Sequence, residues 1–145
     1  MVGIWGLSDA ASLAFHAVAL LAEQPDRRAS TREIAQAFGV SEHHLAKVNH
    51  RLVRAGILEA TRGPHGGVQL ARPPEQITMM EVYEAIEGPM HDEHCVLGKP
   101  ACGRTACIFG GLVGSVNRQV REHFENTTLD QLAEGARPER SSLSA

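Results

Sequence analysis

The chain contains 145 residues, 43% of them hydrophobic and 21% charged. That is the size of one ordinary domain, or of a small domain with an appendage, and it is too apolar to be disordered by composition. Aromatics at 4% argue against an aromatic-rich binding surface, and the apolar run at 10–22, broken by Ser12 and His16, is too short to span a bilayer. With no basic leader before that run and no small-residue cleavage site after it, a cytoplasmic protein is expected.

The formal net charge of -3 rules out a polycation, but the charge is unevenly spread. Asp26 to Arg72 carries eight Lys/Arg against four Asp/Glu, a local +4, which leaves six against thirteen elsewhere, a local -7. Such asymmetry implies a basic module on an acidic body.

Ser8 and Asp9 can cap a first helix running to about Glu23, with Leu13, Ala17, Leu20 and Leu21 as its buried stripe. A polar turn at 24–29 follows. Ser30 then opens a short helix, Glu33 completes a capping box, and Gly39 ends it. Ser41 caps a third helix to about Ala55, with Leu45, Val48, Leu52 and Val53 inward and Glu42, His43, Lys47, His50, Arg51 and Arg54 outward. Two helices around a Gly-centred turn, the second with a basic outer face, form a helix-turn-helix.

Ile57–Thr61 and Val68–Ala71 read as short strands joined by Arg62-Gly63-Pro64-His65-Gly66-Gly67, a hairpin whose glycines are free to take positive φ. Directly behind a recognition helix, such a hairpin reads as a wing, with Arg62 at its base and His65 and Gly66 at its tip. Arg62 suits the narrow, electronegative minor groove; its alternative is a solvated surface residue. Lys47, Arg51 and Arg54 are placed to neutralise phosphates, and Ser41, Glu42, His43 and His44 to meet base edges. The exposed histidines could equally be plain surface residues.

Pro73-Pro74 breaks the chain. A helix at 77–87, opened by Thr78, bears Glu81, Glu84 and Glu87 on what reads as a solvated acidic face. A long helix from about Thr105 to Glu125 carries Ile108, Leu112, Val113, Val116, Val120 and Phe124 at helical spacing, and so small a domain has little to bury it except a second copy of itself. The tail at 136–145 is Arg-, Pro- and Ser-rich and is expected to be disordered. The fold class is therefore mainly α with a small β-hairpin wing, a winged helix-turn-helix plus a long C-terminal dimerisation helix. The expected division is a DNA-binding domain at 1–72, a cysteine loop and dimerisation helix at 73–135, and the tail.

The three cysteines, Cys95, Cys102 and Cys107, lie within thirteen residues. An odd, clustered set of thiols in a cytosolic chain points to metal or redox chemistry, and soft thiolates suit an iron–sulfur cluster, zinc or cuprous copper. Three cysteines leave one ligand position open. His91, Asp92, Glu93 and His94 are neighbours that could fill it, and cluster loss would free the thiolates for oxidation. Cys107 could instead be a buried cysteine at a helix start, and His16, on an apolar helix, reads as a core or interface residue.

Gly56-Ile57-Leu58 followed by Arg62-Gly63-Pro64-His65-Gly66-Gly67, the block Ile77-Thr78 through Ala85-Ile86-Glu87-Gly88, and the three-cysteine loop ahead of a long helix together resemble the IscR/NsrR-type (Rrf-two) family of winged-helix iron–sulfur transcriptional regulators. The resemblance covers roughly residues 6–132. It implies a homodimer that binds a roughly palindromic double-stranded DNA operator, most often as a repressor. It also implies a [2Fe-2S] or [4Fe-4S] cluster on the three cysteines, whose state follows redox, nitric oxide or iron–sulfur status. It admits a fourth ligand from the partner subunit's first helix, where this chain offers Asp9, Ser12 and His16. Two departures stand out. Six residues separate Cys95 from Cys102 and four separate Cys102 from Cys107, against about five and five in the family, and Ala46 stands where IscR-like recognition helices carry Glu. The alternative function keeps the DNA binding and replaces the cluster with zinc or direct thiol oxidation. An enzyme or electron carrier is not expected: there is no Cys-x-x-Cys and no phosphate-binding loop.

Overall fold

The computed structural model describes residues 6–91 and 107–136. Its elements in chain order are α1 (Asp9–Glu23), α2 (Thr31–Phe38), α3 (Glu42–Arg54), β1 (Leu58–Thr61), β2 (Gly67–Leu70), a 3-10 turn (Pro74–Gln76), α4 (Met79–Glu87), α5 (Leu112–Asn126) and α6 (Leu129–Ala136). The fold is mainly helical with one two-stranded antiparallel hairpin.

Helix α1 forms where expected. The Ser8 hydroxyl oxygen accepts the Ala11 amide at 3.1 Å, and Asp9 sits against the positive end of the helix dipole. Its burial differs from the single stripe that the leucine spacing suggests. Leu13 and Leu20 are only half-buried, whereas Ala11, Ala14, Phe15, Ala17, Val18, Ala19, Leu21 and Ala22 are buried around most of the circumference. The reason is that α3, α4 and α6 all pack on this one helix, and small alanine side chains let their backbones approach. A helix apolar nearly all round is a central one.

The expected boundary at residue 72 does not separate two cores. Ile77, Val82 and Leu129, each fully buried, join Val18, Ile34, Leu45 and Leu52 in one cluster. The chain returns to α4 at residues 127–129, where Met79 donates its amide to the Thr127 carbonyl and Leu129 donates to that of Ile77, both at 2.9 Å. Helix α6, which the hydrophobic spacing did not reveal, then closes over α1. An aromatic cluster welds α5 to the rest: Phe124 lies 5.3 Å from Phe15 and 5.7 Å from Tyr83 between ring centroids.

The C-terminal long helix starts later than predicted. Gly110 adopts φ +59°, a left-handed value within a turn at 108–111, and α5 begins only at Leu112. The acidic face of α4 also differs from a solvated one. Glu81 is half-buried, completes a capping box with Thr78 and pairs with Arg72, and Glu87 accepts a hydrogen bond from the Ser8 hydroxyl. Glu84 alone of the three points to solvent without such a contact among the described residues.

Candidate nucleic-acid interface and thiol site

The Ser30–Glu33 capping box holds α2, and Gly39 at φ +64° turns the chain into α3, whose N-cap Ser41 accepts the His44 amide at 3.3 Å. Asn49, at 3% exposure the buried polar residue of the core, donates from Nδ2 to the Thr31 hydroxyl at 3.3 Å and so braces α3 against the first turn of α2. Its Oδ1 has no hydrogen-bond partner among the described residues. Leu45, Val48 and Leu52 face the core and Val53 is half-buried.

Every residue assigned to the outer face of α3 is exposed: Glu42, His43, Lys47, His50, Arg51 and Arg54, with His44 and Ser41 at its start. His43, Ala46, Lys47, His50, Arg51 and Arg54 line one shallow groove along the helix. Two of these residues already have partners within the chain. Glu42 Oε2 lies 3.5 Å from Arg32 Nε, an exposed pair of small energetic weight, and Arg51 donates to the Ile86 carbonyl at 3.2 Å.

In the wing, Leu58 pairs with Leu70 and Thr61 with Gly67. Arg62, Gly63, Pro64 and His65 are exposed and Gly66 is half-buried. As the sequence leads one to expect, Gly63 and Gly67 take positive φ, +110° and +152°, and crowding adds a second reason at Gly66 and Gly67. A Cβ on Gly66 would lie 2.1 Å from the Thr61 carbonyl oxygen, and one on Gly67 would lie 2.4 Å from that of Ala29. Gly67 is crowded because β2 has a second neighbour: Ala29 and Val68 exchange amide–carbonyl bonds at 3.0 and 2.8 Å. That bridge sets the exposed Arg28, next in sequence to Ala29, close to the hairpin. The local basic charge was the signal for Arg28, but nothing in the spacing tied it to the wing.

Of the three cysteines, Cys107 falls within the described residues. It is exposed, with a free thiol whose Sγ accepts the Phe109 amide at 3.4 Å, and so is not a buried helix-start cysteine. Cys95, Cys102, Asp92, Glu93, His94 and the tail at 137–145 lie outside the described residues, among which no three His, Cys, Asp or Glu side chains gather as a metal site. Asp9, Ser12 and His16 share one face of α1 and line a shallow pocket with Leu13, Phe38 and Val40. His16 is exposed rather than a core residue; its Nδ1 sits 2.7 Å from the Ser12 carbonyl oxygen and its ring meets Phe38 edge-on at 5.9 Å. Exposed His91 lines a different pocket, of about 280 Å³, with Tyr83, Glu87, Met90 and Phe124. There burial, together with the Glu87 carboxylate, raises the Tyr83 phenol above its ordinary pKa. The structure therefore keeps His91 apart from the α1 trio within one chain. The soft donors at 95, 102 and 107 fit a thiophilic metal or cluster by their chemistry.

Ile108, Phe109 and Leu112 are exposed at 72%, 47% and 59%, and Val113, Val116 and Val120 behind them are half-buried. Among the described residues of α5, Phe124 is the one that is fully buried. No helix among the described residues is long and apolar enough to cross a membrane.

Comparison with known proteins agrees with this geometry. A family model described as Rrf2, an iron-dependent transcriptional regulator, matches residues 7–135. A protein described as an HTH-type transcriptional regulator from Aquifex aeolicus (strain VF5) is 32% identical over 128 residues, 86% of this chain and 89% of that relative. Among solved structures, CymR, the global cysteine regulator of B. subtilis, superposes with a TM-score of 0.74 at 26% identity, covering 94% of this chain and all of that one. IscR of T. potens shares the fold with a TM-score of 0.69 at 23% identity, over 91% of this chain and 88% of its own. These relatives are transcriptional regulators, not enzymes, and Rrf2 regulators bind DNA and act as dimers. With its winged helix-turn-helix and a match spanning nearly its whole length, the chain belongs to the Rrf2 family of transcriptional regulators.

Proposed function

We propose that this chain is a cytoplasmic homodimeric repressor whose grip on a palindromic operator follows the state of an iron–sulfur cluster held by Cys95, Cys102 and Cys107. The observation that carries the DNA half is the fully exposed basic outer face of α3 beside an exposed Arg62 on the wing. Lys47 and Arg54 neutralise phosphates, His43 and His44 with Ser41 and Glu42 approach base edges, and Arg62, His65 and Gly66 follow the backbone into the adjacent minor groove. The Ser41 oxygen is engaged as a helix cap, which leaves its hydroxyl hydrogen to donate to a phosphate. Base preference opposite Ala46 differs from that of regulators with Glu there.

The exposed side chains of Ile108, Phe109 and Leu112, continued by the half-buried Val116, support dimerisation, since a lone chain leaves them in water. A second copy packed along α5 sets two copies of α3 one or more helical turns apart. For the sensing half, a cluster would supply a redox-responsive, thiolate-ligated centre. The chain's own part would be to donate three thiolates and an exchangeable fourth ligand. Within the chain His91 is the described candidate; in the dimer, Asp9, Ser12 or His16 of the partner subunit would serve.

The second reading keeps the DNA binding and uses zinc or direct thiol oxidation. It is favoured by the exposed Cys107 thiol, which forms no disulfide among the described residues, and by a likeness that extends to a regulator named for cysteine as readily as to IscR. The test is a visible spectrum with iron and acid-labile sulfide assays on anaerobically purified protein, followed by operator affinity before and after nitric oxide or oxidant. Iron and sulfide in matching amounts, with an affinity that changes, support the cluster. Their absence after reconstitution leaves zinc or a thiol switch. A colourless protein that binds DNA identically with and without iron ends the sensing proposal.

A further inference from the structure

The backbone that leads from α4 towards the cysteines is held on both sides by arginines. Helix α4 ends at Glu87, and its last carbonyls lack helical partners. One of them, that of Ile86, accepts a hydrogen bond from the Arg51 guanidinium at 3.2 Å, across 35 positions of sequence. Three residues past α4, the Met90 carbonyl accepts from Arg121 of α5 at 2.6 Å. Residues 86–90 are thus tied to the recognition helix by one guanidinium and to α5 by the other. A cation at the negative end of a helix dipole is favourable, which reinforces the first tie.

Arg51 sits one helical turn after Lys47 and one before Arg54, in the groove proposed to meet DNA. The side chains of His43, Lys47, His50 and Arg54 in that groove are exposed and make no hydrogen bond or ion pair among the described residues. Arg51 instead turns its Nη1 to the last turn of α4, five residues before His91 and nine before Cys95.

The geometry points to Arg51 as a positioning residue that transmits movement of residues 86–91 to the recognition helix, and not as a phosphate contact. A rearrangement at the cysteines that shifts the end of α4 must either drag the last turn of α3 with it or break the guanidinium–carbonyl bond. Either event changes how Lys47 and Arg54 meet a duplex. The inference rests on the reading that the cysteines carry the signal, but its mechanical half does not.

The experiment compares the full-length wild type with Arg51→Met, which keeps the stem and removes the charge, and with Arg51→Lys, which keeps the charge and loses the planar fork. Hydrogen exchange of the amides at 86–88 should quicken about tenfold in both variants, the scale of one lost charge-assisted hydrogen bond. The slope of log affinity against log salt should stay at its wild-type value in Arg51→Met, whereas loss of a phosphate contact would lower it by about 0.9. The ratio of operator affinities before and after hydrogen peroxide should fall at least threefold towards one in both variants, a readout that a merely structural arginine would not move. Unchanged exchange at 86–88, or a reduced salt slope with an intact peroxide ratio, overturns the strut. A wild-type chain indifferent to peroxide and to iron removal overturns the sensing proposal, and the strut is then decided by exchange and salt slope.

Discussion

Helices α3 and α5 are both amphipathic, and both keep one face out of the chain's own core, yet the two uncovered faces differ in kind. The outer face of α3 is charged and imidazole-rich, with His43, Lys47, His50, Arg51 and Arg54 exposed. That of α5 is aliphatic: Leu112 is 59% exposed, and Val113, Val116 and Val120 are half-buried. Water solvates the first at no cost and tolerates the second poorly. The contrast teaches that an uncovered helix face names the class of its partner: a polyanion for α3, another apolar face for α5.

The largest expected effect strikes the α5 side. Replacing Leu112 and Val116 together with Asp should convert the proposed dimer to a folded monomer, seen by sedimentation. Loss of the linked second half-site should then cost about 10²–10⁴ in operator affinity. A dimer that survives the double change breaks the comparison at its apolar end. Next comes the wing. Arg62→Ala should cost about 1.5–3 kcal/mol of operator binding while sedimentation stays unchanged, in line with a charge-assisted hydrogen bond to DNA. Affinity equal to that of the wild type would refute a wing contact. Lys47→Ala should lower the salt slope by about 0.9 and weaken specific and non-specific duplexes alike. A loss confined to one sequence would make Lys47 a base reader instead.

A smaller effect serves as the control that touches neither face. Thr78→Ala removes the α4 cap and should cost about 1 kcal/mol of stability in denaturant unfolding, with operator affinity per folded dimer unchanged. Glu81 completes that cap. Burial alone would raise its pKa, but the Thr78 amide and the Arg72 guanidinium outweigh it and hold the carboxyl below its ordinary 4.5. A folded-state value below the unfolded one means that ionised Glu81 adds stability above pH 4.5, and this is lost as acidity passes through the lowered value. Glu81→Gln should therefore be less stable than wild type at pH 7, by under about 1 kcal/mol for a pair this open to solvent, and the gap should close as the pH falls below the lowered value. A gap that persists in acid would assign the loss to packing.

The helix-turn-helix and the wing were legible in the sequence because their determinants are local. Ser30 with Glu33, Ser41, and Gly39 act within four residues of themselves, and the outward register of α3 follows from helical spacing alone. Helix α6 had a local signal too, since the Thr128 amide is met by the Gln131 side chain at 3.2 Å, but Leu129, Leu132 and Ala133 make a short and inconspicuous stripe. What stayed illegible depends on distant neighbours. Nothing near Arg51 announces that a carbonyl 35 positions away will claim it, and nothing near Asn49 announces its burial against Thr31. The late start of α5 turns on a single backbone angle at Gly110. The α1 stripe was right at Ala17 and Leu21 but too narrow, because alanines carry little weight in a hydrophobic pattern, although here they mark the closest packing.

The stitch between Ala29 and Val68 makes the wing something other than a free antenna. Its base is fastened to the backbone just ahead of α2, which Asn49 in turn braces against α3. Arg62 and the basic face of α3 are thus held by one braced frame, a caliper rather than two loose contacts. Under the proposed DNA contacts, a duplex would be accepted when the spacing from its major groove to the next minor groove matches the jaws. Sequences whose minor groove is too wide or too stiff would then be refused at bases that no side chain touches.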